Sequence, residues 1–136
     1  KVTVKGPETL LLEVLDEIKQ KGYSQFPVYD GQKYLGLISN NAISRWLSNN
    51  IEDDNTIIKD ISKTTVLDVL DYNEEYDKVI FLSREMNVDT FIQNHLDKTR
   101  IENVWLITHS GKENEKPLSI ITSYDIEKIL RYYNYV

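Results

Sequence analysis

The sequence predicts a mixed α/β (α+β) fold made of two tandem β-α-β-β-α units, and three observations predict it. A shift of 78 residues brings two stretches into register, with Val2 on Ile80, Val4 on Leu82, Leu10 on Val88, Val14 on Ile92, Ile18 on Leu96 and Val28 on Leu106. Each stretch switches its apolar period between strand and helix in the same order. Asp30-Gly31, set between two β-prone apolar runs, marks a hairpin inside the first stretch.

The elements follow in chain order. A short strand, Val2–Lys5, leads into a helix whose face carries Leu10, Leu11, Val14, Leu15 and Ile18, with Pro7 suited to its first turn and Gly22 beyond its end. The hairpin then runs from Gln25–Tyr29 to Tyr34–Ser39, and a helix over Asn40–Ser48 closes the copy. Asn49 to Asp60, rich in Asn and Asp, reads as a surface connection. Thr64–Leu70 is a short helix ahead of the second copy, which repeats the order: strand Val79–Leu82, helix about Asn87–Lys98, strands Asn103–Thr108 and Leu118–Thr122, and a helix from Ser123 to about Tyr133.

Beyond Asp30 the shift grows from 78 to 83, so that Leu37, Ile38 and Ser39 meet Ile120, Ile121 and Thr122. The five added residues fall in the polar stretch His109–Lys116, where a loop tolerates extra length at little entropic cost. The first unit is assigned to residues 1–48, the connection to 49–61 and the second unit to 62–136. In this register the counterpart of Thr64–Leu70 falls before Lys1, and the chain is expected to be a fragment lacking the opening segment of its first unit.

Composition narrows the function. At 136 residues, 40% hydrophobic and 28% charged, the chain suits one compact domain or two very small ones. A net charge of −6 argues against a nucleic-acid partner, since that binding rests on Lys and Arg neutralising phosphates, although an isolated anion pocket is compatible with it. With no Cys there is no disulfide framework and no thiolate metal site. Without an apolar run of membrane length or a signal-like N-terminus, a soluble cytoplasmic protein away from membranes is expected. Gly-x-Gly-x-x-Gly, Gly-x4-Gly-Lys-Ser/Thr and Gly-x-Ser-x-Gly are all missing, so an enzyme is not expected.

Gly22-Tyr-Ser-Gln-Phe-Pro-Val-Tyr-Asp30 after a helix, a short turn, and Gly36-Leu-Ile-Ser39 opening a second helix together resemble the CBS domain. The second copy, ending Ser119-Ile-Ile-Thr-Ser-Tyr-Asp-Ile126, is similar to its partner in the tandem pair called a Bateman module. The resemblance implies units packed by pseudo-twofold symmetry with clefts that often take adenine nucleotides, and a homodimer formed through the CBS units. It implies a regulatory ligand such as AMP, ADP, ATP or S-adenosylmethionine, and an effector protein or domain to receive the signal. By the family pattern, Thr122 meets phosphate with Ser123 and the helix amides beside it, and Asp125 meets ribose. Ser119 stands where the pattern has Gly. Position points to Ile101, Asn103 and Val104 as the lining of the adenine pocket. The first copy offers Ser39, Tyr23, Gln25 and Phe26 in the same roles, but Ala42 replaces the carboxylate. A charged hydrogen bond contributes about 1.5–3 kcal/mol, so the first site is expected to be the weaker. Trp105 falls opposite Pro27 in this register, which leaves the shape of the base pocket open.

Other readings stand beside these. Thr122-x-x-Asp125 is also a helix N-cap pattern, and the two roles are compatible because a helix N-terminus binds phosphate well. Trp46 and Trp105 are expected in the core before any stacking on a base. His95 and His109 lack metal-ligand spacing, and Glu52-Asp53-Asp54 and Glu74-Glu75 read as solvated faces. The aromatic end Arg131–Val136 suits either a neighbouring surface or the chain's own sheet. Two alternatives to an adenine-nucleotide sensor remain: a cyclic di-AMP sensor like some stand-alone bacterial CBS proteins, and a ligand-free dimerisation or interaction scaffold.

Overall fold

The computed structural model describes residues 2–51, 61–72, 79–95 and 104–132. They belong to two compact units, Thr3–Asp77 and Lys78–Val136 with Lys1–Val2. The expected sites Ile101 and Asn103, the connection from 52 to 60, the acidic runs at 52–54 and 74–75, and the end of the helix expected to reach 98 lie outside the described residues.

In the first unit the expected strand Val2–Lys5 contracts to one parallel bridge between Lys5 and Val28. The Lys5 N–H donates to the Pro27 carbonyl, and its own carbonyl accepts from Tyr29, both at 2.9 Å. Gly6 and Pro7 then turn the chain away. Helix α1 spans Leu11–Lys21, so Pro7 lies ahead of it and not in its first turn. The cause is visible at Leu10, which is held extended by an antiparallel bridge to Thr65 and delays the start of the helix. Gly22, at φ 71°, closes α1 by donating to the Ile18 carbonyl, a conformation that a side chain would resist. Strands β1 (Gln25–Asp30) and β2 (Lys33–Ser39) form the hairpin around Gly31-Gln32, with a bulge after Val28. Helix α2 (Asn40–Asn49) follows directly.

Residues 61–72 carry a short 3-10 turn (Ile61–Lys63) and helix α3 (Val66–Leu70), capped reciprocally by Thr65 and Asp68. The sequence reading places these residues with 62–136; in the structure they complete the core of the unit Thr3–Asp77. Val66 and Val69 are fully buried in one cluster with Leu11, Val14, Phe26, Val28, Ile38, Ala42 and Trp46. Main-chain bonds hold the segment there: Leu11 N–H to the Thr64 carbonyl at 2.9 Å and Val66 N–H to the Thr9 carbonyl at 2.8 Å. Arg45 adds its Nε–H to the Tyr72 carbonyl at 2.7 Å.

The second unit is a three-stranded sheet in the order β3 (Val79–Ser83), β4 (Val104–Thr108), β5 (Ser119–Ile121), with β3 parallel and β5 antiparallel to β4. Helix α4 (Val88–His95) joins β3 to β4, its first turn capped by the Asn87 side chain accepting from the Thr90 N–H at 2.8 Å. Helix α5 (Ser123–Tyr132) ends the described chain. Leu82, Phe91 and Trp105 form the buried centre, with the Phe91 and Trp105 rings edge to face at 5.2 Å.

The two units share one element order, but their internal register differs from the sequence reading. Thr9 N–H donates to the Gly6 carbonyl as Met86 N–H does to Ser83, and the buried residues of α1, Leu11 and Val14, correspond to Val88 and Phe91 of α4. That is a shift of 77. In the hairpins the core-facing pair Phe26–Ile38 corresponds to Trp105–Ile121, a shift of 79 on the first strand and 83 on the second. Trp105 therefore takes the place of Phe26, and Leu106, paired with Ile120, takes that of Pro27. A one-residue slip exchanges the faces of a strand, so the correction moves Trp105 from the opposite face into the helix-side core.

With shifts of 79 and 83 the second hairpin carries four added residues, one fewer than the sequence register gives, and they build a closed loop between β4 and β5. Glu115 accepts hydrogen bonds from the Ser110 hydroxyl (2.8 Å), the N–H groups of Ser110 and Lys112 (both 3.0 Å) and the Thr108 hydroxyl (3.1 Å). The Ser110 hydroxyl above all, and then those other donors, overcome the cost of desolvation and lower the Glu115 pKa from 4.5 to about 2. Gly111, at φ +82°, passes so close to β3 that an added Cβ would lie 3.0 Å from the Ser83 nitrogen.

Candidate functional site

The amino end of α5 is positioned by β5, which delivers Thr122 one residue after its last pair. Asp125 turns back on that end: its Oδ2 accepts from the Thr122 N–H at 2.9 Å and from the Thr122 hydroxyl at 3.1 Å. The cap reading of Thr122-x-x-Asp125 is thus realised. The Asp125 and Ile126 N–H groups both donate to the Thr122 carbonyl, at 3.0 and 3.2 Å, which leaves Ser123 and Tyr124 as the amides the helix itself cannot satisfy. Ser123 is exposed and Thr122 and Asp125 are half-buried, so this helix end is open to a small anion. The partial positive charge of the helix end favours one there.

The first unit treats the same position differently. Ser39 is buried and caps α2 by accepting from the Ala42 N–H at 3.1 Å, and Ala42 is fully buried in the core. The hydroxyl is committed to the fold and the carboxylate is replaced by a methyl group packed among apolar residues. Gln25 and Ser39 are cross-strand partners, so the structure brings these two expected site residues together. The Gln25 Oε1 is buried there with no hydrogen-bond partner. Tyr23 is half-buried and packs on the first core, while the Phe26 side chain lies wholly inside it. In the second unit Val104, which is buried, lies one step beyond the Trp105–Ile121 pair and so shares a sheet end with Thr122.

Trp46 and Trp105 are core residues, as expected, each with an indole N–H buried without a partner. His109 is exposed in the β4–β5 loop, where its carbonyl accepts from the Ser83 hydroxyl. Tyr132 is 80% exposed and Arg131 pairs with Glu127 on the surface of α5; residues 133–136 lie outside the described part. Among the described residues no cluster of His, Asp and Glu could hold a metal ion, and no helix is long and apolar enough to cross a membrane. Sequence reasoning missed an apolar groove on the second unit, because the residue types that line an open groove are those that fill a core.

Residues 2–49 match the model of the CBS domain family. The fold of the whole chain is that of several solved structures: Staphylococcus aureus OpuCA, at 12% identity and TM-score 0.61 over 100% of this chain and 96% of that one; CbpB from Listeria monocytogenes, at 18% identity and TM-score 0.61 over 97% and 92%; and a CBS domain protein from Streptococcus pneumoniae, at 14% identity and TM-score 0.62 over 99% and 78%. No curated protein matches the chain in sequence. CBS domains are in general regulatory, ligand-sensing modules. The match to the CBS domain thus lies in residues 2–49, and along its whole length the chain has the fold of these solved structures.

Proposed function

We propose that the chain senses an adenine nucleotide or adenosyl ligand at the amino end of α5, with phosphate on Ser123, the Thr122 hydroxyl and the free first-turn amides, and ribose on Asp125. Val104, at the same end of the sheet, would lie on the base side together with Ile101 and Asn103. The observation that carries this reading is the contrast between the two units: the hydroxyl and carboxylate are open at α5, while at α2 the hydroxyl is buried and the carboxylate is absent. Binding would shift the conformational population by the ligand's differential affinity, which is the regulatory signal. The chain would act as a homodimer that passes the signal to an effector protein.

The test is calorimetry on the whole chain with AMP, ADP, ATP, S-adenosylmethionine and cyclic di-AMP, paired with thermal melts. A ligand at 100 times its Kd stabilises the fold by about 2.7 kcal/mol. One observation favours a ligand-free scaffold instead: Asp125 already holds its own helix end. A flat response to all five ligands would establish that second reading over the first.

A further inference from the structure

The loop between β4 and β5 lies at the end of the sheet away from Thr122. Strand β4 runs from Val104, at the sheet end shared with Thr122, to Thr108, where the loop begins. Four groups there converge on one carboxylate. The N–H groups of Ser110 and Lys112 and the hydroxyls of Ser110 and Thr108 all donate to Glu115 Oε1, at 2.8 to 3.1 Å, and the Ser110 hydroxyl also reaches Oε2 at 2.8 Å. Backbone N–H groups that converge in a turn form a concavity for anions. This one has a buried floor, since Thr108 is fully buried, and an open rim, since Ser110 and Lys112 are exposed.

The donors are held by contacts in which Glu115 takes no part. Thr108 Oγ accepts from the Gly111 N–H at 2.9 Å, the Ser83 hydroxyl donates to the His109 carbonyl at 3.2 Å, and the Leu118 N–H donates to the Ile107 carbonyl at 2.7 Å. Gly111 is seated against the Ser83 backbone, and Pro117 is buried. The receptor is thus fastened to β3 and β4 independently of its occupant, and the occupant is a carboxylate that the chain itself supplies. We propose that the β4–β5 loop is a binding site for the carboxylate of a small organic acid, kept closed by Glu115 as an internal ligand. Size argues for a small acid: beyond its Cβ, a Glu side chain has the heavy atoms of acetate, so departure of Glu115 frees the volume of one such ion. Tethering gives the Glu115 carboxylate an effective concentration of roughly millimolar or more, and a free acid enters where it exceeds that level or where Glu115 is drawn away. The loop is remote from the residues proposed to hold a nucleotide, and the inference stands without that reading.

The experiment is a titration of the whole chain with sodium acetate, with sodium chloride at equal ionic strength as the control, followed through the amide NMR signals of Ser110 and Lys112. Glu115→Ala removes the atoms of one acetate and leaves the donors. In this variant acetate should shift both amides saturably and raise the melting temperature, and chloride should do neither. In the wild type the same acetate concentrations should leave both amides in place. Adding Ser110→Ala to Glu115→Ala removes a hydroxyl that donates to the anion and should weaken acetate binding about tenfold or more. Should Glu115→Ala not fold in chloride, its recovery in acetate would itself support the site, and Glu115→Ser serves for the titration. The proposal is overturned if acetate and chloride act alike on the variants, if acetate moves the wild-type amides as readily, or if Ser110→Ala leaves the affinity unchanged. Failure of both variants to fold in either salt would make Glu115 a builder of the loop and overturn it equally.

Discussion

Asp125 is asked to do two things, and the molecule contains its own control for separating them. At α3 the Asp68 carboxylate accepts from the Thr65 N–H at 2.9 Å and the Thr65 hydroxyl at 3.2 Å; at α5 the Asp125 carboxylate accepts from the Thr122 N–H at 2.9 Å and the Thr122 hydroxyl at 3.1 Å. The structural loss on truncation is therefore closely matched. Asp68→Ala and Asp125→Ala should each cost about 0.5–2 kcal/mol of stability, as lost helix caps do. Only Asp125→Ala should also remove the acceptor for the ribose hydroxyls. A hydrogen bond to a charged group contributes about 1.5–3 kcal/mol, which converts to a loss of roughly 10- to 150-fold in affinity. Urea melts read the first quantity, and calorimetry with whichever nucleotide binds the wild type reads the second. Equal affinity in the two variants would refute the assignment of Asp125, since its carboxylate would then be a cap and nothing more.

Three further outcomes follow from the fold. Gly111→Ala should destabilise by about 1–3 kcal/mol, seen as a lower denaturation midpoint, because a side chain at φ +82° is strained and its Cβ would press on the Ser83 nitrogen. Because the folded Glu115 pKa is depressed, its contribution to stability is present above the ordinary value of 4.5 and is lost as the pH falls from there toward about 2; Glu115→Gln should flatten that part of the stability profile, and carboxyl NMR should find the wild-type group titrating near 2. Val69→Ala should cost about 2 kcal/mol by cavity formation in the first core, read by denaturant melts, although the residue lies outside the matched domain.

Much of the architecture was legible because each unit changes its apolar period at the same places. The hairpin, the cap at Thr122 and the polar insertion before β5 all left local marks in residue type. What was not legible was anything set by a partner distant in sequence. Val66 and Val69 announce a helix with a buried face, but nothing local says which core receives it, and it packs with Leu11 and Trp46 rather than with the strands that follow it. The same partner shortened the first helix, since the bridge from Thr65 holds Leu10 extended where its residue type suits a helical start. The internal register slipped by one for a related reason: Leu10, Leu11 and Leu12 are interchangeable to a pattern, whereas only Leu11 is buried. At the candidate site the Thr-x-x-Asp motif showed a cap. That the matching hydroxyl of the first unit is buried depends on how tightly Ala42 packs, which a motif does not carry.

The difference between the two units also bears on where regulation can act. In the first, the helix end is committed to the core and α3 fills the groove, so a ligand would have to displace native contacts to bind. In the second, the hydroxyl and carboxylate at α5 and the apolar groove are both accessible, and the buried residues among the described ones are fewer than in the first: Leu82, Phe91, Val104, Trp105, Leu106, Thr108 and Pro117. A unit with fewer buried contacts opens locally at lower free energy. Ligand binding stabilises whichever state it selects by the same amount wherever it acts, but it changes populations most where the competing states are close in energy. Hydrogen exchange should accordingly show the amides of α4 and α5 exchanging faster than those of α1 and β1, and an added nucleotide should protect α4 and α5 while leaving α1 and β1 unchanged. Protection confined to α1 and β1 would place the responsive element in the wrong unit and end the argument for α5.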